Sequence, residues 1–157
     1  MEIKEIVAEI KKNGRANILE GHGRILELIA PSAWVREQDD KDGIFLLFDT
    51  FQIRTVAEAF SELSLDIVDF ATKPTIYHSP VSKLLTAGPV QEGVVRFSLI
   101  KKDIWNKLLF AFGQPLIFQF SKDKKALFET KEFFPLLSAG TKEFYLDAEG
   151  TVKIIKA

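Results

Sequence analysis

Two hydrophobic periods meet between Gly93 and Phe120, and this stretch organises the chain. From Val94 to Ser98 the pattern alternates, with Val94, Arg96 and Ser98 facing one way and Val95 and Phe97 the other, as in a strand. From Asp103 the spacing turns helical. Ile104, Trp105, Leu108, Leu109 and Phe112 share a stripe, and Lys101, Lys102, Asn106 and Lys107 fall off it. Gly113 suits a left-handed helix end, and Pro115 prevents continuation. Leu116 to Phe120 reads as a second strand. Strand, short helix and strand in so short a span predict a tight crossover between two parallel strands of one sheet.

The remaining elements follow in order. Ile3, Ile6, Val7 and Ile10 sit at helical spacing, closed by Lys11, Lys12 and Asn13-Gly14. Ala16 to Leu19 forms a short strand, and Ile25 to Ile29 a short helix stopped by Pro31. Ser32 to Gly43 is the most polar stretch and reads as an exposed loop. Ile44 to Phe48 is an unbroken apolar run, as in a strand covered on both faces. Asp49 or Thr50 caps a helix whose stripe is Ile53, Val56, Phe60 and Leu63. Leu65 to Phe70 and Pro74 to His78 are strand candidates, and Ser79 to Leu85 a helical turn before a loop over 87–92. Ser121 to Lys125 is a charged loop or helix start, and Pro135 interrupts any helix begun at Phe133 and Phe134. Lys142 to Leu146 and Thr151 to Ile155 alternate around Asp147-Ala148-Glu149-Gly150, a terminal hairpin. The sum is an α/β fold: a mixed sheet with flanking helices, read as a single domain over 1–157.

Composition narrows the function classes. A chain of 157 residues with 46% hydrophobic and 27% charged residues is globular and long enough for a real core. A net charge of -1 gives no global attraction to nucleic acid or anionic membrane, so any such surface is a local patch. With no cysteine there is neither a disulfide nor a thiolate metal site or nucleophile. The opening MEIKEIVAEIKKNG lacks the apolar centre of a secretion signal, and no apolar run reaches membrane-spanning length. The expectation is a cytoplasmic protein that does not engage a membrane; its oligomeric state is not encoded in any pattern here.

Four features carry chemistry, and each has a structural alternative. Gly21-His22-Gly23-Arg24 between a strand and a helix is either a phosphate-cradling turn or an ordinary tight turn, since the rest of a dinucleotide or P-loop fingerprint is missing. His22 and His78 show no metal-ligand spacing, so no metal site is expected, and no Ser lies in a nucleophile-elbow motif. Arg96, beside apolar residues in a central strand, demands an anion. Either an internal carboxylate such as Asp66 or Asp69 supplies it, or a bound phosphate or carboxylate does. Lys122, Lys124 and Lys125, with Lys101, Lys102 and Lys107 and interleaved Phe118, Phe120 and Phe128, are either a nucleic-acid surface or a solvated face over core aromatics.

The stretch GVVRFSLIKKDIWNKLLFAFGQPLIFQFS resembles the later half of the YrdC-like family, the threonylcarbamoyl-AMP synthases. There a Val-Arg strand is followed by a helix, Gly-x-Pro-Leu and a strand ending in Ser-x-Asn. Lys73-Pro74-Thr75-Ile76-Tyr77 is similar to the family's Pro-Gly-Pro-x-Thr strand, Arg36 through Phe48 to its Lys-x-Arg loop and following strand, and Phe133 through Gly150 to its closing segment. The resemblance implies a YrdC-like twisted sheet with a concave, positively lined cavity for ATP, L-threonine and bicarbonate. It also implies a link to tRNA modification and double-stranded RNA. By position, Arg96 would hold a phosphate or carboxylate, Thr75 would line the nucleotide pocket, and Arg36 would stand in for the loop lysine.

The chain also departs from that family. Leu19 to Gly23 stands where the Pro-Thr-Asp-Thr-x-Tyr-Gly-Leu signature belongs, Gln38 replaces the second loop cation, and Phe120 and Lys122 replace Ser-x-Asn. The favoured expectation is a degenerate YrdC-like domain that binds a nucleotide, small anion or double-stranded RNA without synthase activity. It needs no cofactor, with ATP entering only as a ligand. The alternatives are an active synthase in which His22 and Arg24 replace the lost groups, and a structural or partner-binding protein.

Overall fold

A computed structural model describes residues 1–101 and 103–157; Lys102, placed off the helical stripe above, lies outside the described residues. Helix α1 (Ile3–Asn13) buries Ile6, Val7 and Ile10, and Gly14 ends it with φ of 87°. That left-handed value costs glycine nothing. The chain then forms β1 (Arg15–Leu19), β2 (Ile25–Ile29), β3 (Ile44–Leu47), α2 (Ile53–Val56), α3 (Glu62–Phe70), β4 (Thr75–Pro80) and β5 (Val94–Leu99). It continues through α4 (Asp103–Phe112), β6 (Leu116–Phe120), β7 (Phe128–Glu129), β8 (Lys142–Leu146) and β9 (Val152–Lys156). Among the described residues the strands make one nine-stranded mixed sheet in the order β7-β1-β2-β6-β3-β5-β4-β8-β9.

The central crossover is present with its direction reversed. β3 pairs in parallel with β5 and antiparallel with β6, so β5 and β6 run antiparallel with β3 between them. A helix of α4's length spans about 15 Å. It carries the chain laterally over β3, and β6 begins at the end of the sheet where β5 stopped.

Other expectations change where windows are short. Ile25–Ile29 is a strand, not a helix, and pairs antiparallel with β1 from Leu19↔Ile25 to Arg15↔Ile29. Five residues give too few intrahelical bonds to offset nucleation, whereas a neighbouring strand satisfies every backbone group at once. Leu65 to Phe70 is helical, not extended. Ser61 Oγ accepts from Ser64 N at 3.2 Å and caps α3, outweighing the β-branched run. The helix expected over Ile53 to Leu63 is therefore split, with Asp49 capping the 3-10 turn that leads into α2. Ser79 belongs to the end of β4, not to a helical turn, and Pro135–Leu137 makes only a 3-10 turn.

Strand alternation sends two apolar layers to opposite faces. Ile18, Leu26, Leu28, Ile44, Leu46, Ile76, Leu116 and Phe118 pack with α1 and α4. Phe45, Leu47, Tyr77, Val95, Phe97 and Ile117 pack on the other side with α2 and α3. Trp105 of α4, 2% exposed, is fixed by a bond from its indole Nε1 to Phe133 O at 3.0 Å. On the α1/α4 side the core layer gives way at β5, β4 and β8 to Arg96, His78 and Glu143.

The assigned face of α4 is testable with adjacent residues. Leu109 is 1% exposed and Phe110 68% exposed. Leu109→Ala should cost about 2–5 kcal/mol, and Phe110→Ala no more than about 1 kcal/mol. Urea unfolding of both variants measures the difference, and equal losses would show that the helix presents another face.

Candidate functional site

Arg96 lies directly opposite His78 in the antiparallel β4–β5 pair, and both point to the same side of the sheet. The loops before β3 and β5 rise around them and enclose an open hollow of about 480 Å³, lined by Lys41, Asp42, Gln91 and Glu92 as well as these two side chains. Gln91 joins the loops, donating from Nε2 to Lys41 O at 2.9 Å and to Asp42 Oδ1. The floor is rigid strand and the rim is tied.

Arg96 is only partly answered. Nη1 donates to Asp42 O at 2.6 Å, Nη2 stands 4.0 Å from Glu143 Oε1, and Nε is buried without an acceptor. A guanidinium carries five N–H donors, so this one is under-coordinated. Neither Asp66 nor Asp69 is the internal partner expected for it. Both are on α3, which packs against the opposite face. Glu143 is also shared, because its Oε2 lies 2.9 Å from His78 Nε2.

Arg15 shows what a fully answered guanidinium looks like in this molecule. It donates to both oxygens of Asp39 at 2.8 and 3.0 Å, to Glu27 Oε1 at 3.1 Å and to Ala33 O at 2.9 Å. Asp39 also accepts from Val35 N and from Gln119 Nε2. Burial alone would raise the Asp39 carboxyl, and the bond from Arg15 with these other donors turns the net shift downward. The polar loop over 32–43 is thus anchored by a buried acid that its composition concealed.

The other anticipated residues do not converge on Arg96. Thr75 is 4% exposed and lies on the opposite sheet face, its Oγ1 donating to Lys73 O at 2.9 Å. It borders a different hollow, of about 610 Å³, with Tyr77, Lys73 and Phe133. Arg36 is exposed on its loop and lines neither hollow. Lys122 braces that same loop through a bond to Gln38 O at 3.1 Å. Lys41 and Glu143 were not anticipated. An isolated lysine in a charged loop and an alternating glutamate in a hairpin carry no signal of their own.

The turn at Gly21-His22-Gly23-Arg24 joins two strands, not a strand and a helix, which removes the helix start from the phosphate reading. Its amides are committed as well. His22 N and Arg24 N donate to Glu20 Oε2 at 2.6 and 3.1 Å, and Phe134 N donates to Oε1 at 3.2 Å. His22 Nδ1 also bonds Oε1. Gly21 is required for close approach, since a Cβ there would lie 2.6 Å from Lys131 O. Outside this nest the His22 ring packs on Phe133, and the Arg24 guanidinium lies 4.2 Å from the centre of the Phe120 ring.

The positively lined cavity implied by the resemblance is therefore not what surrounds Arg96. The hollow is lined by the cations Lys41 and Arg96 together with the acids Asp42 and Glu92, and Glu143 stands 4.0 Å from Arg96. Among the described residues no cluster of acids and histidines is arranged to hold a metal ion, and no helix is long and apolar enough to cross a membrane.

No protein-family model and no curated protein matches the chain. Solved structures do match in fold. E. coli YciO superposes with a TM-score of 0.70 at 12% identity, covering 98% of this chain and 87% of YciO. Full-length HypF, in a phosphate- and nucleotide-bound form, gives 0.69 at 13% identity over 98% of this chain and 28% of HypF. P. abyssi Sua5 complexed with L-threonine gives 0.68 at 10% identity over 92% of this chain. The chain spans about half the length of that Sua5. At these identities the likeness establishes a YrdC-like fold.

Glu20 offers a test with a definite pH sign. Burial would raise its carboxyl, and the bonds from His22, Arg24 and Phe134 outweigh it, so the folded value lies below the ordinary one. A depressed acid stabilises the fold above its unfolded pKa and loses that contribution as pH falls through the folded value. Glu20→Gln should cost about 1–3 kcal/mol at neutral pH, and the gap to wild type should close on acidification below the ordinary glutamate range. Thermal unfolding of both proteins across pH checks this, and a gap that stays constant would exclude the ionised nest.

Proposed function

We propose that this YrdC-like domain binds a small anion or the phosphate of a nucleotide at Arg96, and that it does not run the synthase reaction. The carrying observation is the under-coordinated guanidinium facing a hollow. It has one hydrogen bond and one long ion pair, while Arg15 in the same sheet is saturated. Lys41 at the rim supplies a second cation, and the hollow has the volume of a ligand site. Fold relatives crystallised with phosphate and nucleotide, or with L-threonine, support a ligand-binding role for the scaffold.

The placement of the candidate residues supports the absence of synthase chemistry. Joining a carboxylate, bicarbonate and a triphosphate requires several donors held in register around one reacting centre. Here Thr75 and Arg96 are on opposite faces, Arg36 is on the surface, and Phe120 and Lys122 replace a hydroxyl and an amide. The mixed charge of the hollow also disfavours a polyanion such as duplex RNA or the full triphosphate of ATP. Both remain natural competitors in the assay.

Calorimetric titration with AMP, ATP and a short RNA duplex separates the cases. AMP should bind, with Arg96→Ala weakening it about tenfold or more. Failure of all three ligands to bind would remove the role. Pyrophosphate release that depends on threonine and bicarbonate would overturn the exclusion of synthase activity.

A further inference from the structure

We infer that Glu143 is a built-in competitor for the anion at Arg96, and that His78 sets how strongly it competes. This rests on the anion reading of Arg96 and adds its regulation. Glu143 reaches across from β8 with Oε2 2.9 Å from His78 Nε2 and Oε1 4.0 Å from Arg96 Nη2. The first contact is a hydrogen bond. The second is too long for one, yet close enough for the carboxylate charge to be felt. One carboxylate thus divides itself between a permanent cation and a titratable ring.

The surrounding charges leave that division in control. Lys156 is the cross-strand partner of Glu143 on β9. Lys153 lies over the Tyr145 ring, at 5.3 Å. Asp42 is tied to Gln91, and Lys41 and Glu92 stand on the rim. Among the described residues Glu143 is the acid paired to both His78 and Arg96. Histidine is the side chain whose charge changes near neutral pH. When His78 takes up a proton, its bond to Glu143 becomes charge-assisted and holds the carboxylate on its own side. The same proton adds a positive charge to the hollow. Both effects favour an incoming anion, and by linkage anion binding favours the proton. Anion affinity is therefore higher when His78 carries its proton than when the ring is neutral.

Sulfate is the probe, because its own charge is constant over the range, and calorimetry is the readout. Wild type should bind sulfate about three- to tenfold more tightly at about pH 5.5 than at about pH 7.5. Glu143→Gln should bind at the higher pH about as tightly as wild type at the lower one, with the slope flattened. His78→Gln, which keeps a donor to Glu143 but cannot titrate, should bind with no slope. The His78 ring resonances of wild type should shift toward the protonated form when sulfate is added at intermediate pH, a readout independent of either variant's folding. Binding with no pH slope in wild type, or an undiminished slope in Glu143→Gln, overturns the competitor while leaving the anion site standing. No sulfate binding by wild type or Glu143→Gln at any pH overturns both.

Discussion

A guanidinium on an inner strand of a sheet is too costly to leave in an apolar layer, and that constraint shapes one end of this molecule. From β1 to β3 the α1/α4 face of the sheet is continuous hydrocarbon under helices. At β5 it meets Arg96, and His78 and Glu143 stand beside it on the next strands of that face. The helices stop covering the sheet where covering it would bury an unanswered charge. What lies in front of Arg96 is a hollow bounded by loops, where water or a ligand can supply acceptors to its exposed Nη donors.

The two arginines of the sheet make the point quantitatively. Arg15 is wrapped by Asp39, Glu27 and a carbonyl, with contacts of 2.8 to 3.1 Å, and this network pins the 32–43 loop to the sheet. Removing Arg15 would leave the buried Asp39 carboxylate without its cation, so its role is structural. Arg96 sits in the middle of a more central strand and has far fewer contacts. A side chain that served only the fold would be expected to reach the same saturation, because nothing prevents a nearby acid from doing for Arg96 what Asp39 does for Arg15. Glu143 is close enough, and it is turned toward His78 instead.

Much of this architecture was legible before any coordinates, and the failures have physical causes. The strands β3, β5 and β6 and the helices α1 and α4 announce themselves because burial imposes an unambiguous period over enough residues. Ile25 to Ile29 does not, since five residues with apolar ends satisfy both periods. Its state is decided by the neighbouring β1, which the window does not contain. The direction of the β5–α4–β6 crossing was hidden for the same reason: it depends on β3, some fifty residues earlier, lying between the two strands. Arg96 stood out in the sequence because a cation in an apolar strand breaks a local rule. Thr75 borders the other hollow, not the one at Arg96. Its place in the chain relative to Arg96 resembles the family pattern, but the pairing of Tyr77 with Phe97 fixes a parity that turns it to the other face.

That parity bears on what kind of protein this is. A sheet preserves its fold so long as the apolar alternation survives, and it is indifferent to which polar residues stand on the open part of a face. Catalysis between several substrates has no such latitude, because donors must meet within fractions of an ångström. Around Glu20 the chain has used the space differently. The amides of His22 and Arg24 in the β1–β2 turn, which could have faced a phosphate, donate to the Glu20 carboxylate, which also accepts from Phe134 N. An internal anion held there by charge-assisted bonds leaves no reason for an external one to enter, since displacing it would strand a buried ionised acid. At Arg96 the arrangement differs: the guanidinium faces a hollow, and the nearest carboxylate, Glu143, is partly exposed and hydrogen-bonded to His78.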